Sequence, residues 1–246
     1  MGKLKRISMG LLILVSTGAW AQERVRKAAV NTVELTLAAR NQQVSGALAG
    51  YRLHGIGRKQ RLKLGYGLRL TTYAGRNQDY VTAPARLTSG KTGPTVIFTE
   101  DIPSQFDTLS LSKAQVNWLN AAIFIEYSLL PRLDLGFTID VVGVSFGKGQ
   151  VGTFTARQSD NPVVSGTRQG TKPTTFNLLL TSDNDIGSLN SEFYARYWIK
   201  NKLGIKAGYS FIFTEYTTDR ELTFDNDRFR NKSGLFMLGV TYAFNK

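Results

Sequence analysis

The chain has 246 residues, a formal net charge of +13 and no cysteine. A disulfide framework, a thiolate metal site and a lipid-bearing cysteine at an N-terminal cut are therefore excluded. Gly, Thr, Tyr and Phe are plentiful and only six prolines occur, a composition that suits strands.

The first 21 residues read as a secretory leader. Lys3, Lys5 and Arg6 are its basic start, Met9 to Val15 its short apolar run, and Ala19-Trp20-Ala21 its small-x-small cut, which would leave Gln22 first. The apolar run is too short to span about 30 Å of hydrocarbon. Removal of the leader leaves 225 of the 246 residues, a size at which all-β barrels form one domain, residues 22–246. No run of 18 apolar residues follows, so no transmembrane helix is expected.

From there apolar and polar residues alternate with period two over residues 31–40, 44–55, 61–75, 117–130, 133–147, 188–199, 203–214 and 233–244. In the last segment Phe236, Leu238, Val240, Tyr242 and Phe244 share one face. Most of the eight predicted strands run to about 10–15 residues, longer than the usual soluble strand and enough for a tilted membrane crossing. Gly57-Arg58-Lys59-Gln60, Pro131-Arg132 and Lys200-Asn201-Lys202 are tight turns, whereas residues 76–116, 148–187 and 217–232 are long and polar. Strict alternation of short and long connections predicts an antiparallel up-and-down transmembrane β-barrel with short periplasmic turns and long outer loops. The parity closes at eight strands if a short outer loop joins 31–40 to 44–55. Val151 to Arg157 and Thr174 to Thr181 lie inside the second long loop, where they would extend a strand or pair into a taller wall.

The less apolar strand faces carry Glu34, Arg52, Lys63, Arg69, Glu126, Asp134, Asp140, Glu192, Arg196 and Lys206, five acids against five bases. A narrow lumen requires such pairing, because an unpaired buried charge costs several kcal/mol. Glu34, Arg52, Arg69, Glu126, Asp140, Glu192 and Arg196 are the expected core of a structural lumen network. Gly50, Gly65, Gly67, Gly136, Gly204, Gly208 and Gly239 share those faces and leave room for long side chains. Tyr51, Tyr66, Tyr127, Tyr197 and Tyr209 are placed on the lipid faces as an aromatic girdle.

Gly239-Val240-Thr241-Tyr242-Ala243-Phe244 resembles the Gly-x-x-aromatic-x-aromatic signal by which outer-membrane barrels are recognised for insertion. Met237 stands where a polar residue is usual, and Asn245-Lys246 follow the last aromatic. With the leader and the strand pattern, the chain resembles the outer-membrane β-barrel domain group of Gram-negative bacteria, with the size of OmpA/OmpX-like eight-stranded barrels. The resemblance implies Gly239, Tyr242 and Phe244 as the insertion signal, and outer-membrane lipids and the barrel-insertion machinery as partners. It does not imply one activity.

No catalytic, metal or cofactor site is expected. The only histidine, His54, falls near the periplasmic end of its strand, far from the outer leaflet. Asp183-Asn184-Asp185-Ile186-Gly187 begins like a calcium loop, but Tyr194 stands where the closing Glu is required. Asn226-Asp227-Arg228-Phe229-Arg230-Asn231-Lys232 mixes both charges in the last loop and reads as a self-paired loop base, with a ligand contact as the alternative. Without the leader the charge falls to +10, and the surplus maps to Arg24, Arg26, Lys27, the tight turns and Lys246, a rim rather than a nucleic-acid surface. The expected role is structural, or binding of an extracellular ligand by residues 76–116 and 148–187. A narrow channel, a lipid-modifying enzyme and a soluble lipocalin-like binder are the alternatives.

Overall fold

The computed structural model describes residues 29–88, 106–157, 165–180 and 184–244. The leader, Arg24, Arg26, Lys27, Asp183, Lys246 and residues 89–105 and 158–164 of the long loops lie outside them. Eleven antiparallel strands are present among the described residues: β1 Val30–Arg40, β2 Gln43–Ile56, β3 Leu62–Thr82, β4 Thr108–Leu130, β5 Leu133–Phe146, β6 Gln150–Thr155, β7 Arg168–Pro173, β8 Phe176–Leu178, β9 Leu189–Trp198, β10 Leu203–Thr218 and β11 Arg228–Ala243.

Eight of them close a ring. Neighbours pair in the order β1, β2, β3, β4, β5, β9, β10 and β11, and β11 returns to β1 from Thr32↔Ala243 to Ala39↔Phe236. These are the eight strands read from the sequence, and closure leaves no sheet edge over that height. Their outward side chains are apolar and exposed: Leu35, Leu37, Leu48, Leu68, Leu70, Ile123, Phe193, Ile205, Phe236 and Leu238 among others. Their inward side chains include Glu34, Arg69, Glu126, Asp140, Glu192, Arg196 and Lys206, all buried. An apolar outside around a charged inside reverses the soluble arrangement and is that of a transmembrane β-barrel.

The strands do not stop where the apolar belt stops. β3, β4, β10 and β11 run on and are joined by two strands from the second long loop. Thr108 to Ser110 of β4 pair with β6, β6 pairs with β7, and β7 pairs with Tyr216 to Thr218 of β10. Directly above the short β1–β2 hairpin, Phe229 and Arg230 of β11 pair with Thr82 and Val81 of β3. A second ring of six strands (β3, β4, β6, β7, β10 and β11) thus stands on the first. Here polarity inverts. Ser110, Ser112 and Gln115 face outward, while Tyr80, Leu109, Leu111, Val116, Phe154, Tyr216 and Phe229 are buried in one cluster.

Three sequence readings change. Val151 to Arg157 does build a taller wall, but its partner is Arg168–Pro173 rather than Thr174 to Thr181. In the latter stretch Phe176–Leu178 pairs with Val142 to Val144 of β5. Arg52, Gly50 and His54 lie on the outward face of β2, and Tyr51 points inward. The cause is that Tyr51 and Leu53 bury apolar surface inside the barrel, with Tyr51 stacked on Phe124 at 4.0 Å. The lumen charges expected as five against five are therefore five acids against four bases.

One bulge keeps β5 in phase with the lipid. Ala122 pairs with Asp140 but Ala121 with Val142, so Val141 is an extra residue. It lets Asp140 point inward and Val142 and Val144 point outward on the same strand.

Candidate functional site

The inward carboxylates and bases form one chain of alternating charge. Asp134 pairs with Lys63 at 3.3 Å, and Lys63 reaches Glu126 at 3.9 Å. Glu126 pairs with Arg196, which also donates to Glu34 at 2.8 Å. Glu34 pairs with Lys206, and Lys206 with Glu192 at 2.8 Å. Glu192 lies 3.3 Å from Arg69, whose guanidinium closes on Asp140 at 2.6 Å. Each base sits between two acids, so every positive charge meets two negative ones at short range. Eight of the nine groups are buried and Lys63 is partly exposed, and the alternation offsets their desolvation.

Neutral groups add hydrogen bonds to several of these carboxylates. Tyr51 donates to Glu34 at 3.2 Å and Tyr194 to Glu126 at 2.9 Å. The Trp198 indole donates to Asp134 at 2.6 Å. Asp140 receives Trp118 Nε1 at 3.1 Å, Asn120 Nδ2 at 2.9 Å and the Asn190 backbone N–H at 2.9 Å. Lys206 lies 3.9 Å from the centroid of the Tyr194 ring, a cation–π contact. Small residues make the space: a Cβ at Gly136 would stand 2.2 Å from the Tyr194 ring.

The structure brings together Glu34, Arg69, Glu126, Asp140, Glu192 and Arg196 of the expected network, and leaves Arg52 out of it. Tyr51, Tyr194, Trp118 and Trp198 join it without a signal of their own in the sequence. Their polar tips are invisible to an apolar-versus-polar count, although a buried Tyr or Trp needs a partner for its donor. Gly239 lies near the lower end of β11, with Tyr242 and Phe244 outward and T-stacked at 5.3 Å. His54 is exposed at the end of β2 opposite the upper ring, its ring 6.0 Å from that of Tyr66.

A second cluster sits in the upper ring. Glu215 accepts from Arg228 at 2.7 Å and from Arg230 at 2.8 Å. Arg228 and Arg230 of the last outer connection thus pair with Glu215 of β10, a residue outside the 217–232 segment. Around them the aromatic cluster fills the interior. Tyr80 and Tyr216 meet edge to face at 5.2 Å, and Phe154 and Phe229 at 5.9 Å. Tyr216, above the belt, donates to the Gln115 carbonyl at 2.9 Å, and burial pushes its pKa up to about 12. The only histidine of the sequence lies on the outward face of the barrel, and no group of three metal-ligating side chains occurs among the described residues.

No family model matches the sequence, and no curated protein matches it. Among solved structures, Neisserial surface protein A is 8% identical with a TM-score of 0.36, over 88% of this chain and 96% of that one. A major outer membrane protein of Thermus thermophilus is 15% identical with a TM-score of 0.36, over 89% and 100%. The Yersinia pestis outer membrane protein Ail is 10% identical with a TM-score of 0.33, over 88% and 100%. The closed register of the strands, not these distant likenesses, defines the architecture: an eight-stranded transmembrane β-barrel carrying a six-stranded upper ring.

Proposed function

We propose that the protein is an integral outer-membrane barrel that works as a closed scaffold, presenting its upper ring and long outer loops to the cell exterior. The observation that carries this reading is that the lumen is filled at two successive levels by different chemistry. The charged chain from Asp134 to Asp140 occupies the belt, and the aromatic cluster around Tyr80, Tyr216 and Phe229 fills the ring above it. Either filling obstructs solute flow, and eight strands enclose little more than their own side chains. A channel or transporter reading would require both to move.

The leader expected at residues 1–21 and the exposed aromatics Tyr242 and Phe244 beside Gly239 support export and recognition by the barrel-insertion machinery. The polar outward face of the upper ring supports a position above the bilayer, where residues of the 76–116 and 148–187 segments would meet an extracellular ligand. Planar-bilayer recording with fractionation tests this reading. Membrane-pelleted protein with a heat-modifiable gel shift and almost no conductance is expected. Steady ion flow through wild type, or a protein that fractionates as soluble, would overturn it.

A further inference from the structure

Where the upper ring meets the belt, the wall has a notch. The β1–β2 hairpin turns at Asn41 and Gln42, while β3 and β11 continue upward and pair with each other only from Val81 and Arg230 onward. Between those two heights a recess of about 510 Å³ opens on the outer surface. Its lining is Arg40, Asn41, Gln42 and Gln43 from the hairpin, Arg76, Asn77 and Gln78 from β3, and Lys232, Ser233 and Gly234 from β11.

Among the described residues the lining of the recess holds three bases and no carboxylate. Asp79, the nearest acid along β3, is turned to Ser110, whose hydroxyl donates to it at 2.7 Å. The remaining lining is five side-chain amides, a serine and a glycine, which offer neutral donors and acceptors of the kind that bind sugar hydroxyls. The frame is fixed. The Arg76 backbone N–H donates to the Gln42 carbonyl at 3.1 Å, and Arg40 reaches the Tyr209 hydroxyl at 3.4 Å. Asn77 holds a left-handed φ of 51° between the pairs Arg76↔Lys113 and Gln78↔Leu111, a local kink without a change of register that leaves both Arg76 and Asn77 exposed.

Position decides the occupant. Immediately below on the same strands stand the exposed apolar residues Leu37, Val44, Leu70 and Phe236, the upper edge of the belt. A molecule in this recess therefore has its polar part among bases and amides and its apolar part against the barrel wall. We propose that the recess binds the phosphorylated saccharide headgroup of a lipid in the outer leaflet, with its phosphate on Arg40, Arg76 and Lys232 and its acyl chains along Leu37, Leu70 and Phe236. Arginine forks match phosphate oxygens in pairs, and each base near a membrane surface adds to the attraction. The site rests on the outer-membrane reading above.

Native mass spectrometry of the full protein tests it, using phosphatidylcholine nanodiscs doped with either bisphosphorylated or phosphate-free lipid A. Wild type is expected to retain the bisphosphorylated lipid selectively. The triple variant Arg40→Gln, Arg76→Gln, Lys232→Gln should lose occupancy on the order of a hundredfold, while Arg58→Gln, Lys59→Gln, Arg61→Gln at the opposite rim should keep it. Equal occupancy in wild type and the recess variant, no preference for the phosphorylated lipid, or equal loss in the opposite-rim variant would overturn the site. Displacement of the lipid by inorganic phosphate alone would overturn it in favour of a free anion. A normal heat-modifiable shift without lipid selectivity removes this site only, whereas wild type that never inserts removes the membrane reading and the site together.

Discussion

Arg196 on β9 and Glu34 on β1 meet across the barrel at 2.8 Å, although 162 residues separate them in sequence. The same guanidinium pairs with Glu126 on β4, so one side chain ties three strands of the ring through the lumen. Hydrogen bonds of the wall connect only neighbouring strands. The ladder is what braces the barrel across its diameter.

Removing that tie should be expensive. Arg196→Met leaves Glu34 and Glu126 short of their shared base in a dry interior, and a loss of about 3–5 kcal/mol is expected. Adding Glu126→Gln should recover part of it. Urea unfolding of the refolded protein in detergent micelles, with and without the second substitution, measures both numbers.

Two arginines on adjacent strands should behave oppositely. Arg69 is buried and paired with Asp140 and Glu192, whereas Arg52 is exposed on the outward face. Arg69→Leu is expected to destabilise by about 3–5 kcal/mol and Arg52→Leu by less than about 0.5 kcal/mol. The same unfolding assay distinguishes them, and equal losses would contradict the inward-outward assignment of β2.

The double filling predicts non-additive conductance. Tyr80→Ala, Tyr216→Ala and Phe229→Ala open the upper ring but leave the charged ladder. Glu126→Ser with Arg196→Ser thins the ladder but leaves the aromatic cluster. Single-channel recording should show almost no current for either set and measurable current only when both are combined.

The upper ring should loosen in alkali. The Tyr216 phenol ionises at about 10 in the unfolded chain and about 12 in the folded one. Its folded pKa is raised, so the stability it contributes is fully present below about pH 10 and is lost as pH rises through about 12. Ultraviolet difference titration of wild type against Tyr216→Phe isolates the effect, and the variant should lack this part of the alkaline loss.

Much of the lower ring is legible in the sequence because lipid imposes one rule on every strand: the outward residues are apolar. Phe236 to Phe244 and Leu203 to Phe211 obey it without exception at alternate positions. β2 breaks the reading because Tyr51 and Leu53 are apolar and point inward, while Gly50, Arg52 and His54 point outward. Val44 and Leu48 hold the correct phase, but Tyr51 and Leu53 weigh against them. The upper ring is hidden for a different reason. On β4 the apolar face flips from Leu109 and Leu111 through Val116 inside to Leu119 and Ile123 outside, with Ser112 and Lys113 both exposed at the irregularity. A search for one continuous apolar face cuts the strand at residue 117. The recess at Arg40, Arg76 and Lys232 unites three distant segments, which no local pattern brings together.

The reversal of polarity between the two rings acts as a waterline. Should the molecule sink, Ser110, Ser112 and Gln115 would be drawn into hydrocarbon; should it rise, Leu37, Leu70 and Phe236 would be lifted into water. Either displacement is opposed from the first few ångströms. Its depth in the bilayer is thus written into four strands that change character at one height, and the molecule rides there like a hull at its load line.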